Sequence, residues 1–294
     1  SFEKTSIVTA PFDGNPCSVP GFGFSCMPQG GSPLGLDGIP EVIMNQAVYR
    51  NFLSHESLVF NFITDVTDGE NLSGIRWVEL RRTDSQWELY QEGTFAPDDG
   101  LDRYMGGLAI DGSGNIALAY NVSSEDEFVG VRYTGRKWDD ELGLMTVEEG
   151  VLIEGTNSIS SGARFGDYAQ MGIDPVDDKT FWYTTEYGGG GGSNSTTRIV
   201  ALEIERDDSD LSAGRILFGK VSGFTGEQSI NVQINNLGLS DASNFQIGYI
   251  LNDQDPVIED FTDIFSASTE LEYTFTQKAM IEEIGEHTLK TFVS

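Results

Sequence analysis

The chain has 294 residues, of which 38% are hydrophobic and 11% aromatic, so it is long and apolar enough for two packed domains. Its 47 acidic and 17 basic residues give a formal net charge of -30, which repels phosphates and anionic membranes and argues against a nucleic-acid partner. No apolar run approaches the about 20 residues that a membrane-spanning helix needs.

The first 40 residues are rich in glycine, proline and serine, and they suit a strand near residues 6–8 followed by a long loop. Cys17 and Cys26 stand nine positions apart in this segment. We predict a disulfide between them if the protein is exported, with two free thiols as the alternative. Two cysteines and two distant histidines do not predict a zinc site.

The middle of the chain reads as consecutive short strands separated by polar turns, among them Asp68-Gly69 and Asp84-Ser85. Four-stranded antiparallel sheets in series are the blades of a β-propeller, so the pattern predicts about three blades. The last has room for three strands, and such a blade commonly borrows its fourth strand from the other end of the propeller. The predicted strands cover residues 43–52, 56–66, 74–82, 87–96, 104–111, 115–122, 128–136, 146–155, 167–174, 179–187 and 197–205.

Two segments, 110–120 and 173–183, share one layout. Each begins with Ile-Asp, passes through a polar turn and ends in an apolar run that closes on tyrosine. Glycine, proline, asparagine and aspartate supply the turn dihedrals, so each copy predicts a β-hairpin. A repeat built from strands favours a propeller or a related array.

The sequence pattern changes after a polar stretch at 206–214, which we predict to be a linker. Alternating segments at 230–234 and 245–251, and further strands at 257–261, 271–275 and 287–293, predict a small β-sandwich of immunoglobulin type, with turns at 236–238 and 252–253. The predicted class is therefore all-β: a β-propeller over 1–205, a linker over 206–214 and an Ig-like sandwich over 215–294. Because the chain starts without methionine and stops inside an apolar strand, we interpret both domains as truncated pieces of a longer protein.

A series of motifs occurs in order between about residues 15 and 204, including Tyr-Arg-Asn-Phe at 49–52 and Arg-Phe-Gly-Asp-Tyr at 164–168, with others at 55–59, 74–81, 90–97, 114–120, 132–136 and 180–184. The set resembles a propeller of large secreted or cell-surface bacterial proteins. Motifs at 235–238, 244–249, 273–275 and 284–287 resemble CARDB-type Ig-like modules, which are frequent in Bacteroidota proteins exported by type IX secretion. The resemblance implies an exported, surface-associated protein, and it supplies no catalytic residue.

Carboxylate-rich turns are the candidate metal sites, because Ca²⁺ prefers oxygen ligands. Such turns also form when Asp and Asn bond their own turn amides, which is the alternative for the two repeated turns. No metal or other cofactor is predicted to be required, and Ca²⁺ is the possible one. The candidate ligands are Asp98, Asp99 and Asp102 before a blade's first strand, and Asp111, Ser113, Asn115, Asp174, Asp177 and Asp178 in the repeated turns.

Arg164 and Asp167 stand at the entry to an innermost strand, where propellers line their central channel. They are predicted either to bind a polar ligand or to pair as a latch between blades. A sialidase-like glycosidase would need an arginine cluster for a carboxylate, but no pattern assigns that role. Four tryptophans either stack on sugars or pack between blades. The arginines are Arg50, Arg76, Arg103, Arg132, Arg136 and Arg164, and the tryptophans are Trp77, Trp87, Trp138 and Trp182.

The sequence favours a non-catalytic protein of the cell exterior that displays, adheres to or binds a surface glycan or protein through its blade loops, since loops on a rigid scaffold carry function. A propeller glycoside hydrolase is the enzymatic alternative, and a structural component of a surface filament or stalk is a third. The protein is predicted to be part of a larger polypeptide or surface assembly.

Overall fold

The computed structural model describes the chain except for residues 1–5, 18–24, 53–54, 68–70, 84–85, 161, 191–194, 205–210, 218–224, 237, 239, 253 and 268. The predicted turns at 68–69 and 84–85 therefore lie outside the described residues, as do 206–210 of the linker, Leu237 and Asp253. Every element assigned in the described part is a β-strand, and nothing there forms a helix able to cross a bilayer. The chain divides into two compact units, Ser1–Ile204 and Glu205–Ser294.

The first unit begins with a two-stranded hairpin and continues with three antiparallel sheets that pair their strands in chain order. We call these sheets blades 1, 2 and 3. The architecture confirms the prediction of an all-β fold with propeller-type blades. The hairpin has β1 (Ser25–Gln29) and β2 (Ser32–Asp37); blade 1 has β3 (Val48–Asn51), β4 (Glu56–Asp65), β5 (Ser73–Arg82) and β6 (Glu88–Phe95); blade 2 has β7 (Asp102–Ile110), β8 (Ile116–Ser123), β9 (Gly130–Arg136) and β10 (Val147–Ile153); blade 3 has β11 (Gln170–Ile173), β12 (Phe181–Tyr187) and β13 (Thr196–Leu202).

Blade 2 forms the centre of this unit. Every residue of β7 and β8 is buried, because β7 packs against β4 and β5 on one side and against β11 and β12 on the other. In β4, by contrast, buried and half-buried residues alternate, since its two faces have different surroundings. Continuous burial thus marks β7 and β8 of the middle blade, and alternation marks β4 of its neighbour.

A bulge in β7 lets the three blades approach closely. The pairing with β8 shifts between Tyr104 and Gly107, and Met105 has a φ of 51°. A Cβ on Gly106 would lie 2.3 Å from Asn61 Oδ1 of blade 1, and one on Gly107 would lie 2.6 Å from a ring carbon of Tyr183 in blade 3. Only glycine therefore fits at both positions.

The hairpin was not predicted. The expected strand at 6–8 is absent, and the segment 25–37, expected to be loop, forms β1 and β2 instead. The glycine pair between Gln29 and Ser32 was the available signal, since Gly-Gly between two short runs marks a tight hairpin.

The second unit is a set of short antiparallel sheets around its own core, which includes Val232, Ile247 and Phe275. Its strands are β14 (Leu211–Ile216), β15 (Gly226–Gln228), β16 (Asn231–Asn236), β17 (Phe245–Leu251), β18 (Val257–Phe261), β19 (Thr269–Thr274), β20 (Ala279–Ile281) and β21 (Leu289–Val293), in sheets ordered β14-β16-β19, β18-β17-β21 and β15-β20. Residues 211–214, predicted to end the linker, instead begin β14, because pairing with β16 outweighs their polar composition. The immunoglobulin type stays a prediction.

Candidate functional site

The hairpin β1–β2 is held by a disulfide to the segment that precedes it and by hydrogen bonds to Ile159, which follows blade 2. Cys17 and Cys26 form a disulfide with a Cα–Cα distance of 5.4 Å, which confirms that prediction. The Gln29 side chain, 2% exposed, donates to the carbonyl of Leu34 at 2.9 Å and of Ile159 at 2.7 Å, and it accepts from the Ile159 amide at 2.7 Å. The hairpin is therefore a rigid wall of the surface that it borders.

Two clefts open beside this hairpin and share the lining residues Pro28 and Glu125. We call the pair the hairpin groove. Its larger cleft, of about 620 Å³, is lined by Ser25, Cys26, Pro28, Gln29, Gly31, Ser32, Pro33, Leu34, Gly35, Asn71 and Glu125. Its smaller cleft, of about 410 Å³, is lined by Pro28, Asp99, Gly100, Leu101, Asp102, Ser124, Glu125, Asp126 and Glu127.

The smaller cleft is strongly acidic, with five carboxylates in its walls. One of them, Asp99, accepts two hydrogen bonds from Arg103, at 3.0 and 2.6 Å. Burial raises the pKa of Asp99, but the bonds from Arg103 and from the Leu101 amide outweigh it and hold that pKa below its ordinary value. Glu127 lies 3.6 Å from Arg132. Arginines thus fix the position of two carboxylates and keep Asp99 ionised.

Arg103 is the centre of a buried charge network behind this cleft, its side chain being 1% exposed. Besides Asp99 it binds Glu149, with Nε 2.9 Å and an Nη 3.1 Å from the carboxylate oxygens. Glu149 also accepts from Tyr120 at 2.5 Å and from Arg132 at 2.9 Å. Burial raises the pKa of Glu149, but its three donors lower it further than burial raises it. The network joins the loop before β7 to strands β8, β9 and β10.

Asp102 lines the same cleft but has a different environment, being 4% exposed. One of its oxygens accepts from the amide and the hydroxyl of Ser73, at 2.8 and 2.9 Å. Desolvation raises the pKa of Asp102 to about 6, with a further rise from Asp65, against the bonds from Ser73 and the charge of Arg103. Asp65 is the cross-strand partner of Ser73, which places it close to Asp102.

Replacing Asp102 with asparagine is expected to stabilise the first unit at neutral pH. A folded-state pKa of about 6, against 3.8, means that the folded protein holds this proton more tightly. Stability is therefore lost as pH rises from about 4 through about 6, by up to about 3 kcal/mol. Asparagine keeps an acceptor for Ser73 but carries no charge.

The measurement is urea unfolding of the wild type and Asp102→Asn at pH 4 and pH 7.5. The stability difference in favour of the variant should grow by about 1–3 kcal/mol between the two pH values. Asp126→Asn, an exposed carboxylate of the same cleft, is the matched control and should show no such growth. Equal pH profiles for wild type and Asp102→Asn would contradict the assignment.

The predicted Ca²⁺ ligands are only partly brought together. Asp99 and Asp102 line one cleft, whereas Asp98 is exposed and is not part of its lining. Among the residues that the structure describes, no group of three or more His, Cys, Asp or Glu side chains is placed to hold a metal. Ca²⁺ binding at Asp98, Asp99 and Asp102 stays a prediction.

The two repeated turns form the predicted hairpins between β7 and β8 and between β11 and β12. Asp111 accepts from the Ser113 and Asn115 amides at 2.8 and 2.9 Å and from the Asn115 side chain at 2.9 Å. In the second turn Asp174 accepts from Val176 and Trp182, and Asp177 accepts from Lys179 and Thr180. Those carboxylates thus bond their own turns, which is the alternative to metal binding.

The two turns also meet each other. The Gly112 amide donates to the Asp178 carbonyl at 2.8 Å, and the Asp178 carboxylate pairs with Arg50 of blade 1. Arg50 lies 3.4 Å from the Ile110 carbonyl. One contact point therefore joins all three blades.

Arg164 and Asp167 pair with each other, and the Arg164 side chain is 79% exposed. Neither residue lines the hairpin groove. The latch alternative predicted a pair, which is present, but the two residues belong to one loop and do not link two blades. Ligand binding by the pair stays a prediction.

The other candidate arginines are also engaged within the fold. Arg136 is 1% exposed and donates to the carbonyls of Asp140, Glu141 and Leu144. The remaining pairs are Arg50 with Asp178, Arg76 with Glu92, Arg103 with Asp99 and Glu149, and Arg132 with Glu149. These five arginines hold the blades together and do not converge on a shared pocket for a substrate carboxylate.

The tryptophans divide between core and surface. Trp77 is 1% exposed, and the guanidinium carbon of Arg136 lies over its ring, 6.0 Å from the ring centroid. Trp87 packs against Tyr49 and Arg82. Trp138 and Trp182 are almost half exposed, but neither lines the groove.

Sequence reasoning missed most of the residues that line the groove, of which only Asp99, Asp102 and Cys26 were candidates.

Comparison with known proteins gives little further information. No family model matches the chain, and no curated protein matches it. Three solved chains match, all of an exo-β-1,3-galactanase from Phanerochaete chrysosporium. The complex with galactose is 12% identical and a complex with β-1,3-galactotriose is 10% identical. Each match covers 89% of this chain and 82% of the other at a TM-score of 0.19, a likeness too low to carry an argument.

Proposed function

We propose that this chain is a non-catalytic binding protein of the cell exterior, which holds a protein or glycan ligand in the hairpin groove. The observation that carries the proposal is the groove itself, bordered by a stapled hairpin and by loops of rigid blades. A surface of this kind binds a ligand without large rearrangement, so little of the binding energy is lost in ordering the protein.

The state of the charged side chains supports a non-catalytic role. The candidate arginines are held in ion pairs or by backbone carbonyls, so they are not available to clamp a substrate carboxylate. Asp99 has both oxygens bound to Arg103. A nucleophile or general base needs a freer carboxylate than this.

The proposal includes an exported location. The disulfide between Cys17 and Cys26 is compatible with an oxidising compartment, and the acidic composition suits an exposed, soluble surface. We propose that the second unit is a CARDB-like Ig-type spacer of a larger polypeptide exported by type IX secretion, with no nucleic-acid partner and with Ca²⁺ as a possible ligand of residues 98–102.

A glycoside hydrolase is the second candidate, favoured by one observation. Asp102 has its pKa raised to about 6 and Asp99 has its pKa lowered, and both line the smaller cleft. Two carboxylates with pKa values moved apart are the pattern of a general acid beside an ionised partner. The engagement of both Asp99 oxygens by Arg103 weighs against this candidate.

The experiment that separates the two candidates is an assay of binding and turnover on the same oligosaccharide and peptide panels. The proposed function predicts ligands that bind and are recovered intact after long incubation at pH 5 and pH 7. Turnover of any glycoside that disappears in Asp102→Asn, while Glu282→Gln, an exposed position of the second unit, retains it, would contradict the non-catalytic proposal and establish the hydrolase.

A further inference from the structure

We propose that the ligand of the hairpin groove is an extended protein segment that carries lysine or arginine at one end and uncharged residues at the other. This inference rests on the proposed function, because it assigns the partner of the same groove.

Charge selects a cationic partner for the smaller cleft. Its lining carries Asp99, Asp102, Glu125, Asp126 and Glu127, and none of the described residues that line it is basic. Arg103 is buried behind the cleft and Arg132 is largely buried, so both act on the carboxylates from behind. Glu125 and Asp126 are exposed at the rim. A cleft lined by one sign of charge focuses its field on an incoming cation.

The arginines also prepare the cleft for binding. Arg103 fixes Asp99 through two hydrogen bonds, and Asp102 is fixed by the amide and the hydroxyl of Ser73. These carboxylates do not have to be ordered when a lysine or arginine enters. Pre-organised acceptors lower the entropic cost of recognising a flexible basic side chain.

The larger cleft has the opposite character. In the described part of the chain its lining combines apolar residues such as Pro28, Pro33 and Leu34 with uncharged polar ones, and Glu125 is the one charged residue among them. Shared lining by Pro28 and Glu125 makes the two clefts neighbours, so one ligand can occupy both. The groove therefore has one acidic end and one mostly uncharged end, and we expect its ligand to have a basic end and an uncharged end.

The lining disfavours other ligand classes. Among the residues that the structure describes, neither cleft is lined by an aromatic side chain, and sugar rings are usually held by stacking on such platforms. Phosphates and acidic sugars would be repelled by the five carboxylates. A protein segment with a basic end and an uncharged end is complementary to both clefts.

The test is fluorescence anisotropy with a labelled peptide that has two lysines at one end and a run of proline, leucine and serine at the other. The variant pair Glu125→Gln with Asp126→Asn should weaken binding at least tenfold. The matched control, Glu282→Gln with Glu283→Gln, removes the same charge from exposed positions of the second unit and should change affinity less than twofold. Circular dichroism verifies that both double variants fold.

Three outcomes would overturn the inference. Equal weakening by both double variants would mean diffuse attraction to the net charge of the protein. Equal binding of a peptide with its lysines replaced by glutamine would show that charge is not recognised. Binding of neutral oligosaccharides in place of peptides, lost when Leu34 is changed to arginine, would preserve the proposed function and reject the basic segment. Absence of binding to both panels would reject both.

Discussion

Replacement of Arg103 by methionine is expected to lower the free energy of unfolding of the first unit by about 3–5 kcal/mol. Methionine fills much of the same volume, but it leaves Glu149, which is 15% exposed, and Asp99, which is 34% exposed, without their main cationic partner. Arg132 remains near both carboxylates, at 2.9 Å from Glu149 and 3.7 Å from Asp99, and cannot compensate for two charges. The loop before β7 should loosen together with the acidic cleft.

The measurement is urea unfolding followed by tryptophan fluorescence, since Trp77 and the other three tryptophans all lie in the first unit. Arg164→Met is the matched control, because it removes an arginine that is paired but 79% exposed. It should leave the midpoint nearly unchanged, as exposed ion pairs contribute little. Similar losses for the two variants would contradict the assignment of Arg103 as the centre of the network.

Loss of the disulfide is the second large expected effect. Changing Cys17 and Cys26 to serine should reduce the free energy of unfolding by about 2–3 kcal/mol, because the bond closes a short loop with a separation of nine residues in the unfolded chain. Peptide affinity should fall as well, since Cys26 lines the larger cleft and the bond anchors the start of β1.

The double serine variant is compared with wild type in oxidising buffer and in excess reductant. Reduced wild type should match the variant in both unfolding midpoint and peptide affinity. A variant that binds as tightly as oxidised wild type would contradict the role of the hairpin as a fixed wall of the groove.

The strands of the blades were predictable because their signals are local. In residues 110–120 the turn glycines and Asp111 stand between two apolar runs, and the structure forms β7 and β8 on either side of them. The bounds of β17 and β18 also follow from alternation and turn residues alone. Period-2 patterning is a property of neighbouring residues, so it survives in a single sequence.

The groove could not be predicted in the same way. Its acidic wall combines Asp99 and Asp102 with residues 124–127, and its other wall is the hairpin β1–β2. These segments are brought together by packing of β1 against β8 and by the bonds from Gln29 to Ile159, which are separated by 130 positions. Sequence spacing placed Asp98, Asp99 and Asp102 in one cluster, although Asp98 is exposed and outside the cleft lining.

The central claim is that one groove, formed by the hairpin and by residues 99–102 and 124–127, is the binding surface of this protein. Its most direct test is hydrogen–deuterium exchange of the full chain with and without the lysine-tailed peptide. We expect slower exchange in residues 25–35, 99–102 and 124–127, and no change around Arg164 or in the second unit. Saturated binding that leaves these three segments unprotected would contradict the claim.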